Sequence, residues 1–394
     1  MNEAGDNSGI DLRWRRWAFP LAVLTACATF PLILLGGLVT TYEVGMAVPD
    51  APTTFGQNML LFPIFEWLRA PFGVFLEHGH RLFGSMVGLL TLMLAASLWA
   101  DSPRRWLPWL GVIALAAAFA GGVFHAAGLL LVGSLVALVA VLGWMKDRKR
   151  RLRWLGLVAI GLVLVQGGLG ALRVVLRAQE VAVIHGVVAQ VFFAFIVAIA
   201  VFCTRTWWQP APRMERPDVT RVQRLSALTT GFVLLQLVVG AMLRHLGWQW
   251  TLVAHLAVAF IVLIHMGLLA KRILIGYADS TRLVVGIEVL ALLVAAQPML
   301  GAGAWATSNG FGTGATPPNA GQVFFATSHV AVGALILTTC TTLTLWSYQF
   351  LVQSSRPARG SSRDRLADRR AEPAMRPTVS ALESRELLMA RATL

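Results

Sequence analysis

Ten runs of mainly apolar residues divide this sequence, and each is long enough to cross a lipid bilayer as a helix. A bilayer core requires about 20 apolar residues per helix, and every backbone polar group inside it must be paired within the protein. Apolar residues make up 57% of the chain and charged residues 13%, which excludes a soluble globular enzyme. The predicted spans are 17–40, 77–100, 107–124, 126–145, 154–175, 182–204, 225–244, 250–270, 281–302 and 322–349.

The basic residues predict how these spans are oriented. The chain has 33 Lys and Arg against 19 Asp and Glu, a net charge of +14. If both termini are cytoplasmic, all but five of the basic residues lie on the inner side, as the positive-inside rule requires. The five outer residues are Arg69, Arg81, Arg173, Arg177 and Arg244. Arginines scattered in this way between membrane spans predict no nucleic-acid surface, and we expect a bacterial inner-membrane protein surrounded by lipid.

Internal repeats predict two related four-helix halves with an inserted hairpin. The segment Gln166-Gly-Gly-Leu-Gly170 resembles Gln297-Pro-Met-Leu-Gly301, and each precedes a span with a histidine near its start. A shift of 45 residues places His80 on His125, which indicates a tandem duplication that added a hairpin at about 107–145. The predicted segments are a cytoplasmic N-terminus (1–16), an N-terminal half (17–204), a cytoplasmic linker (205–224), a C-terminal half (225–349) and a disordered basic cytoplasmic tail (350–394).

Several histidines lie near the outer ends of the predicted spans, where ionisable side chains are costly and mark functional sites. They are His80, His125, His185, His255 and His329. Four of them are followed, four positions later, by a small residue: Gly84, Ala189, Ala259 and Gly333. Position i+4 lies one turn along the same helix face, so a small residue there leaves room for a flat macrocycle beside the imidazole. Leu129 follows His125 and would crowd such a plane.

These histidines form two predicted bis-imidazole pairs, His80 with His185 and His255 with His329. Paired axial histidines inside a helical bundle are typical of heme sites. Zinc is the competing metal, but it requires three or four convergent ligands. Four outer arginines are candidate partners for heme propionates, with snorkelling interfacial residues as the alternative: Arg81, Arg173, Arg177 and Arg244.

Glu77 lies three residues before His80 and shares its helix face. This position places a carboxylate within reach of whatever His80 binds, which suits a proton acceptor. The alternative is an ion pair between Glu77 and Arg81, which are four residues apart.

These motifs, in this order, resemble the heme A synthase family. Glu77-His78-Gly79-His80-Arg81 is similar to the signature on its second helix, and Gly36-Gly37-Leu-Val-Thr-Thr to the end of its first. The resemblance continues through the third, fourth, sixth and eighth helices of the family, and the matching segments are Gln166-Gly-Gly-Leu-Gly170, His185, His255-Leu-Ala-Val-Ala259 and Ala326-Thr-Ser-His329. It covers about residues 17–349 apart from the extra hairpin.

The resemblance implies an eight-helix core of two pseudo-symmetric bundles. His255 and His329 would bind the iron of a heme b cofactor, and His80 and His185 would bind the substrate, heme O. The implied reaction oxidises the C8 methyl of heme O to a formyl group with oxygen from water, and Glu77 is the catalytic carboxylate. Implied partners are the farnesyltransferase that makes heme O and the assembling cytochrome oxidase, and the chain could form a homo-oligomer.

The chain departs from the family where many members carry a cysteine pair, in the first outer loop. Cys27, Cys203 and Cys340 all lie in apolar runs instead. Two other functions fit the histidine pattern without the resemblance. One is a diheme b-type cytochrome that exchanges electrons with quinone, and the other is a heme carrier.

Overall fold

The structure is a computed structural model, and it shows an all-α polytopic membrane protein. It describes residues 15–51, 53–100, 102, 104–109, 125–147, 151–208, 213–308 and 317–353, without the side chains of residues 15, 16, 125 and 126. Within these residues, nine helices are long and apolar enough to cross a membrane. Most of the predicted span 107–124 and the tail from residue 354 onward lie outside the described residues.

The nine long helices match nine predicted spans. They are α1 (Arg15–Thr41), α3 (Phe72–Trp99), α4 (His125–Lys146), α5 (Arg151–Leu176), α6 (Gln179–Cys203), α8 (Val219–Leu246), α9 (Gln249–Gly276), α10 (Thr281–Thr307) and α11 (Ala320–Phe350). Two short helices, α2 (Ile64–Leu68) and α7 (Arg205–Trp208), lie in the connections. Most long helices extend a few residues beyond the predicted spans, because hydropathy marks the lipid-facing length and not the last helical hydrogen bond.

The helix contacts repeat between the two halves of the chain. In the N-terminal half α1 contacts α3 and α6, and α5 contacts α3 and α6. In the C-terminal half α8 contacts α9 and α11, and α10 contacts α9 and α11, so the two schemes are the same. Between the halves α6 contacts α11, and the contact of α1 with α11 matches that of α8 with α6. The contact scheme is therefore two-fold pseudo-symmetric, with α6 and α11 at its centre.

Helix α4 packs against α5 through small residues. A Cβ atom on Gly161 of α5 would lie 2.7 Å from Ala137 of α4, and one on Gly133 would lie 2.7 Å from the Val165 amide nitrogen. These distances leave no room for a side chain, so the two helix backbones touch directly. Because α4 lies in the segment of about 107–145 that the repeat predicts to be an insertion, this contact joins that segment to the N-terminal half.

Two small sheets connect the helices at opposite ends of the bundle. At the end that we call the loop end, β1 (Thr53–Thr54) and β2 (Gln57–Asn58) form an antiparallel hairpin inside the loop between α1 and α3. At the other end, the strand end, β3 (Met214–Arg216) pairs in parallel with β4 (Leu351–Gln353). This pairing joins the linker between the halves to the segment that follows the last helix.

The contact between α4 and α5 predicts that Gly161→Ala destabilises the protein, because overpacking an interface costs about 1–3 kcal/mol. Gly167→Ala is the matched control, since a Cβ on Gly167 of the same helix meets nothing within 4 Å. We expect thermal unfolding in detergent at a lower temperature for Gly161→Ala alone. Equal midpoints for the two variants would contradict the packing described here.

Candidate functional site

Each of the four paired histidines lies against a glycine of the neighbouring helix, near the loop end. The nearest imidazole atom, Cε1, would lie 2.9–3.2 Å from a Cβ placed on that glycine. The four pairs are Gly36 with His80, Gly170 with His185, Gly240 with His255 and Gly301 with His329. One contact is thus repeated in α1–α3, α5–α6, α8–α9 and α10–α11. The repeat places all four predicted ligands at equivalent positions of the pseudo-symmetric bundle.

Three of the four paired histidines are also contacted by a glutamine of the neighbouring helix, at the ring of His255 and at the backbone of His185 and His329. Gln236 Nε2 lies 3.1 Å from His255 Nε2, and Gln166 Nε2 donates to the His185 carbonyl oxygen at 2.9 Å. Gln297 Nε2 donates to the His329 carbonyl oxygen at 3.1 Å. Sequence reasoning missed Gln236, although its spacing to Gly240 is the same as in the two Gln-x-x-x-Gly segments that it identified.

His255 and His329 face each other across the C-terminal half. Their ring centroids are 6.1 Å apart and the ring planes are inclined by 64°. Two imidazoles on opposite sides of one metal, each at a metal–nitrogen distance of about 2 Å, have centroids about 6 Å apart. The Nδ1 atoms of both rings are buried and have no hydrogen-bond partner among the described residues. This donor pair fits an axially ligated heme iron.

The histidines of the N-terminal half occupy the equivalent position. His80 and His185 lie within range of charge interaction with each other and with Arg173. Their Nδ1 atoms are likewise buried and unpartnered in the described part of the chain. A Cβ on Gly84 would meet nothing within 4 Å, so this face of α3 borders open space beside His80. These two residues could therefore hold a macrocycle at the position equivalent to that of the C-terminal pair.

The small residue after His329 lies in more crowded surroundings. A Cβ on Gly333 would lie 3.1 Å from Leu237 and 3.3 Å from Gln297 Nε2. The space for a macrocycle that the sequence pattern predicts is therefore open at Gly84 and filled by two side chains at Gly333.

Among the described residues, no three His, Cys, Asp or Glu side chains converge as a zinc site requires.

Glu77 is buried and makes the ion pair that the sequence offered as its alternative role. Its Oε1 lies 2.7 Å from Arg81 Nη2, and its Oε2 accepts from the Val48 amide at 2.8 Å. Arg81 also donates to the carbonyl oxygens of Val48, Asp50 and Thr53. The pair therefore anchors the loop between α1 and α3 over the start of α3, one turn from His80.

His78 is a structural histidine of the same anchor. Its Nδ1 lies 3.0 Å from Thr54 Oγ1, and its ring packs against Phe62 and Trp67. Trp67 in turn lies over Gly79, where a Cβ would be 3.3 Å from the indole ring. The loop between α1 and α3, through Phe62 and Trp67, thus covers the N-terminal half at the loop end.

The other three candidate arginines occupy different surroundings. Arg173 lies over Gly45, and its charge interacts with Glu77. Arg177 is exposed, with a positive φ of 52°. Arg244 donates to the Gly37 carbonyl oxygen at 3.0 Å, to Thr41 Oγ1 at 2.6 Å and to the Ala326 carbonyl oxygen at 3.3 Å. Arg81 and Arg244 are therefore engaged by the protein itself.

The end of α8 also borders the N-terminal half. His245, at the end of α8, lies within charge-interaction range of His185 and Arg173. Arg244, the preceding residue, lies within charge-interaction range of His329. Two consecutive residues of α8 thus lie near one candidate site each.

Comparison with known proteins does not identify a family. A scan against protein-family models finds no match for the chain, and searches of the curated proteins and of the solved structures return no significant match.

Asp50 stabilises the turn of the β1–β2 hairpin. Its carboxylate accepts from the amides of Phe55 and Gly56, both at 2.8 Å, and both residues have positive φ, at 51° and 78°. Burial raises the pKa of Asp50, but hydrogen bonds with Gly56, Thr53 and Phe55 outweigh it and hold the pKa below its ordinary value of 3.8. Two consecutive positive φ values form a type I′ turn, in which Asn-Gly is the preferred pair and a Phe is unfavourable. The Asp50 carboxylate therefore stabilises a turn whose first central residue, Phe55, disfavours this conformation.

We expect Asp50→Asn to loosen this turn, because a charge-assisted hydrogen bond is about 1 kcal/mol stronger than a neutral one. Hydrogen exchange of the Phe55 and Gly56 amides should then be roughly fivefold faster at neutral pH. Since the pKa of the folded state is lowered, the stabilisation is present above pH 3.8 and is lost as pH falls through the folded-state value. Glu66→Gln, in the same loop but exposed, is the control and should leave the exchange rates unchanged.

Proposed function

We propose that the chain is a heme A synthase-like oxidoreductase, which converts the C8 methyl of heme O to a formyl group. The observation that carries the proposal is the repeated pair of imidazoles at equivalent positions, of which, among the described residues, the N-terminal pair has a carboxylate three residues before its first histidine. The position equivalent to Glu77, three residues before the histidine, is Leu252 in α9. The two halves are thus built alike in the described residues, but at this position the N-terminal half carries a carboxylate and the C-terminal half a leucine.

The C-terminal half is the proposed heme b site. His255 and His329 would ligate the iron, in agreement with their centroid separation of 6.1 Å. Bound there, heme b would supply one-electron transfer. The protein contributes ring orientation through the glycine contacts of Gly240 and Gly301 and a water-poor helical interior.

The N-terminal half is the proposed substrate site, with His80 and His185 as ligands of heme O. Glu77 would accept a proton from the attacking water or from the oxidised methyl group. The ion pair with Arg81 and the hydrogen bond from the Val48 amide hold the Glu77 carboxylate at the start of α3, one turn from His80. Arg173, near both His80 and Glu77, is positioned to pair with a propionate of the substrate.

The reaction defines what else must be present. Converting a methyl to a formyl group with an oxygen atom from water removes four electrons and four protons. We assign the electrons to a membrane carrier of the quinone class, and the protons to water through Glu77 and the solvent at the loop end. The proposed partners are the farnesyltransferase that supplies heme O and the cytochrome oxidase that receives heme A, in a bacterial inner membrane with both termini cytoplasmic.

A diheme b-type cytochrome is the second candidate, because the His–Gly contact is the same in all four helix pairs. Such a protein would pass electrons to or from quinone and leave both hemes chemically unchanged. In that case Glu77 serves only as the anchor of the loop between α1 and α3. The two functions differ in whether the mass of a bound heme changes.

The proposal predicts that cells which supply heme O accumulate heme A when they express the protein. Loss of a positioned general base costs about 100-fold or more, so Glu77→Ala should reduce heme A and any hydroxylated intermediate to that extent. Mass spectrometry of extracted hemes measures both products. Unaltered heme O with the parent chain would refute the enzyme assignment and favour the cytochrome.

Two controls distinguish a role of Glu77 as proton acceptor from its role as anchor of the loop between α1 and α3. Arg81→Met breaks the ion pair but keeps the Glu77 carboxylate, so it should retain more activity than Glu77→Gln. Glu180→Gln changes an exposed carboxylate in the first turn of α6 and should retain full activity. Equal losses in Arg81→Met and Glu77→Gln would indicate that Glu77 acts only through the loop.

The heme b assignment has its own test in reduced-minus-oxidised difference spectra. His255→Ala and His329→Ala should each remove the b-type absorbance of the purified protein, because each deletes one axial ligand. His265→Ala is the control: His265 lies deeper in α9, where its ring packs against Phe232. Full b-type absorbance in both ligand variants would overturn the C-terminal site.

A further inference from the structure

Three glutamines occupy one repeated position relative to the candidate ligands. Each stands four residues before the glycine that contacts an imidazole, and they are Gln166, Gln236 and Gln297. Their amide nitrogens lie 2.9–3.1 Å from the ring or from the backbone carbonyl oxygen of the histidine on the neighbouring helix. A glutamine amide that contacts the histidine, at the ring of His255 and at the backbone of His185 and His329, is the device present in α5–α6, α8–α9 and α10–α11.

The fourth helix pair lacks this device. The residue four positions before Gly36 is Leu32, which is half-buried against the apolar core of the N-terminal half. A leucine side chain can neither donate nor accept a hydrogen bond. His80 is therefore the one candidate ligand with an apolar residue at the position where the others have an amide.

The three amides retain an unused acceptor. The Oε1 atoms of Gln166, Gln236 and Gln297 are buried without a hydrogen-bond partner among the described residues, as are the Nδ1 atoms of the four imidazoles. Buried polar atoms without partners are rare because they lose their hydration without replacement. An imidazole that binds a metal through one nitrogen carries a proton on the other and needs an acceptor for it. At His255, rotation of the Gln236 amide would bring its oxygen, as such an acceptor, to the ring nitrogen that Gln236 Nε2 meets at 3.1 Å.

The geometry points to Gln166, Gln236 and Gln297 as positioning residues that hold their imidazoles for a heme-type macrocycle, and to His80 as the ligand without such support. This inference rests on the proposed function and deepens it. The C-terminal site, with both imidazoles supported, retains its heme as a cofactor. The N-terminal site, with one free imidazole, exchanges its heme, as a substrate site must.

The test follows release of hemin from one site at a time in the full chain. His80→Ala with His185→Ala leaves only the C-terminal pair, and His255→Ala with His329→Ala leaves only the N-terminal pair. Each chain is loaded with hemin in detergent and mixed with excess apomyoglobin, and the rate of hemin transfer is recorded. Without any glutamine substitution, the C-terminal site should release hemin more slowly than the N-terminal site. The reverse order of rates would overturn the inference.

Loss of a group that supports a metal ligand typically costs 10–100-fold in affinity. We therefore expect Gln236→Leu and Gln297→Leu to speed release from the C-terminal site at least tenfold. Gln190→Leu is the matched control, because Gln190 is also buried with an unpartnered Oε1 but lies outside the repeated position. Rates equal to that of the parent chain in Gln236→Leu and Gln297→Leu would overturn the inference.

The N-terminal site gives the converse experiment. Leu32→Gln supplies the missing amide and should slow release about tenfold, which is the lower end of the same range. Gln166→Leu removes the support of His185 without adding a buried polar group, and should speed release. An unchanged rate in either variant would contradict the role assigned to this position.

The midpoint potential separates positioning from general structural support. An acceptor on the ring N–H makes the imidazole more basic and favours the ferric state, so Gln236→Leu should raise the midpoint potential of the C-terminal heme. Gln236→Glu keeps an acceptor and should keep the potential low and the release slow. If hemin binds at both sites and the glutamine variants have no effect, this inference fails alone. If neither site gives a bis-imidazole hemin spectrum, the proposed function fails as well.

Discussion

The contact between an imidazole edge and a glycine of the next helix sets the geometry of both candidate sites. A Cβ on any of the four glycines would lie 2.9–3.2 Å from the ring, so each glycine fixes both the helix separation and the ring position. Lipid offers no hydrogen-bond partners, and the buried imidazoles must therefore be satisfied by the protein or by a bound group. The glutamines, the loop anchor and the arginine contacts between the halves are all arranged around these four rings.

Hydropathy predicted the fold well because the bilayer imposes one simple rule on all spanning segments. Nine predicted spans correspond to nine helices in the described residues. Helix ends were less predictable: α8 begins at Val219 and not at 225, since polar residues extend a helix beyond the lipid-facing length. The contact of Glu77 with Arg81 was also accessible, because helix spacing alone brings residues four apart together.

The parts of the site that sequence did not reveal depend on contacts between distant segments. The sequence made Arg81 a candidate propionate partner, but its guanidinium donates to three carbonyl oxygens of the preceding loop. Gln236 was overlooked because one glutamine before a glycine is unremarkable in a Gly-rich chain, and its meaning comes from the imidazole across the helix pair. Arg244 likewise appeared to be an outer basic residue and instead joins α8 to α1 and α11.

Arg244 has a consequence for how the protein is made. It hydrogen-bonds the end of α1, the first described span, to α8, which is synthesised some 200 residues later, and to α11, the last described span. The carbonyl oxygen of Gly37 and the hydroxyl of Thr41 therefore acquire this partner only after α8 is inserted. The N-terminal half thus completes its packing at the loop end late in biogenesis, when the second half arrives.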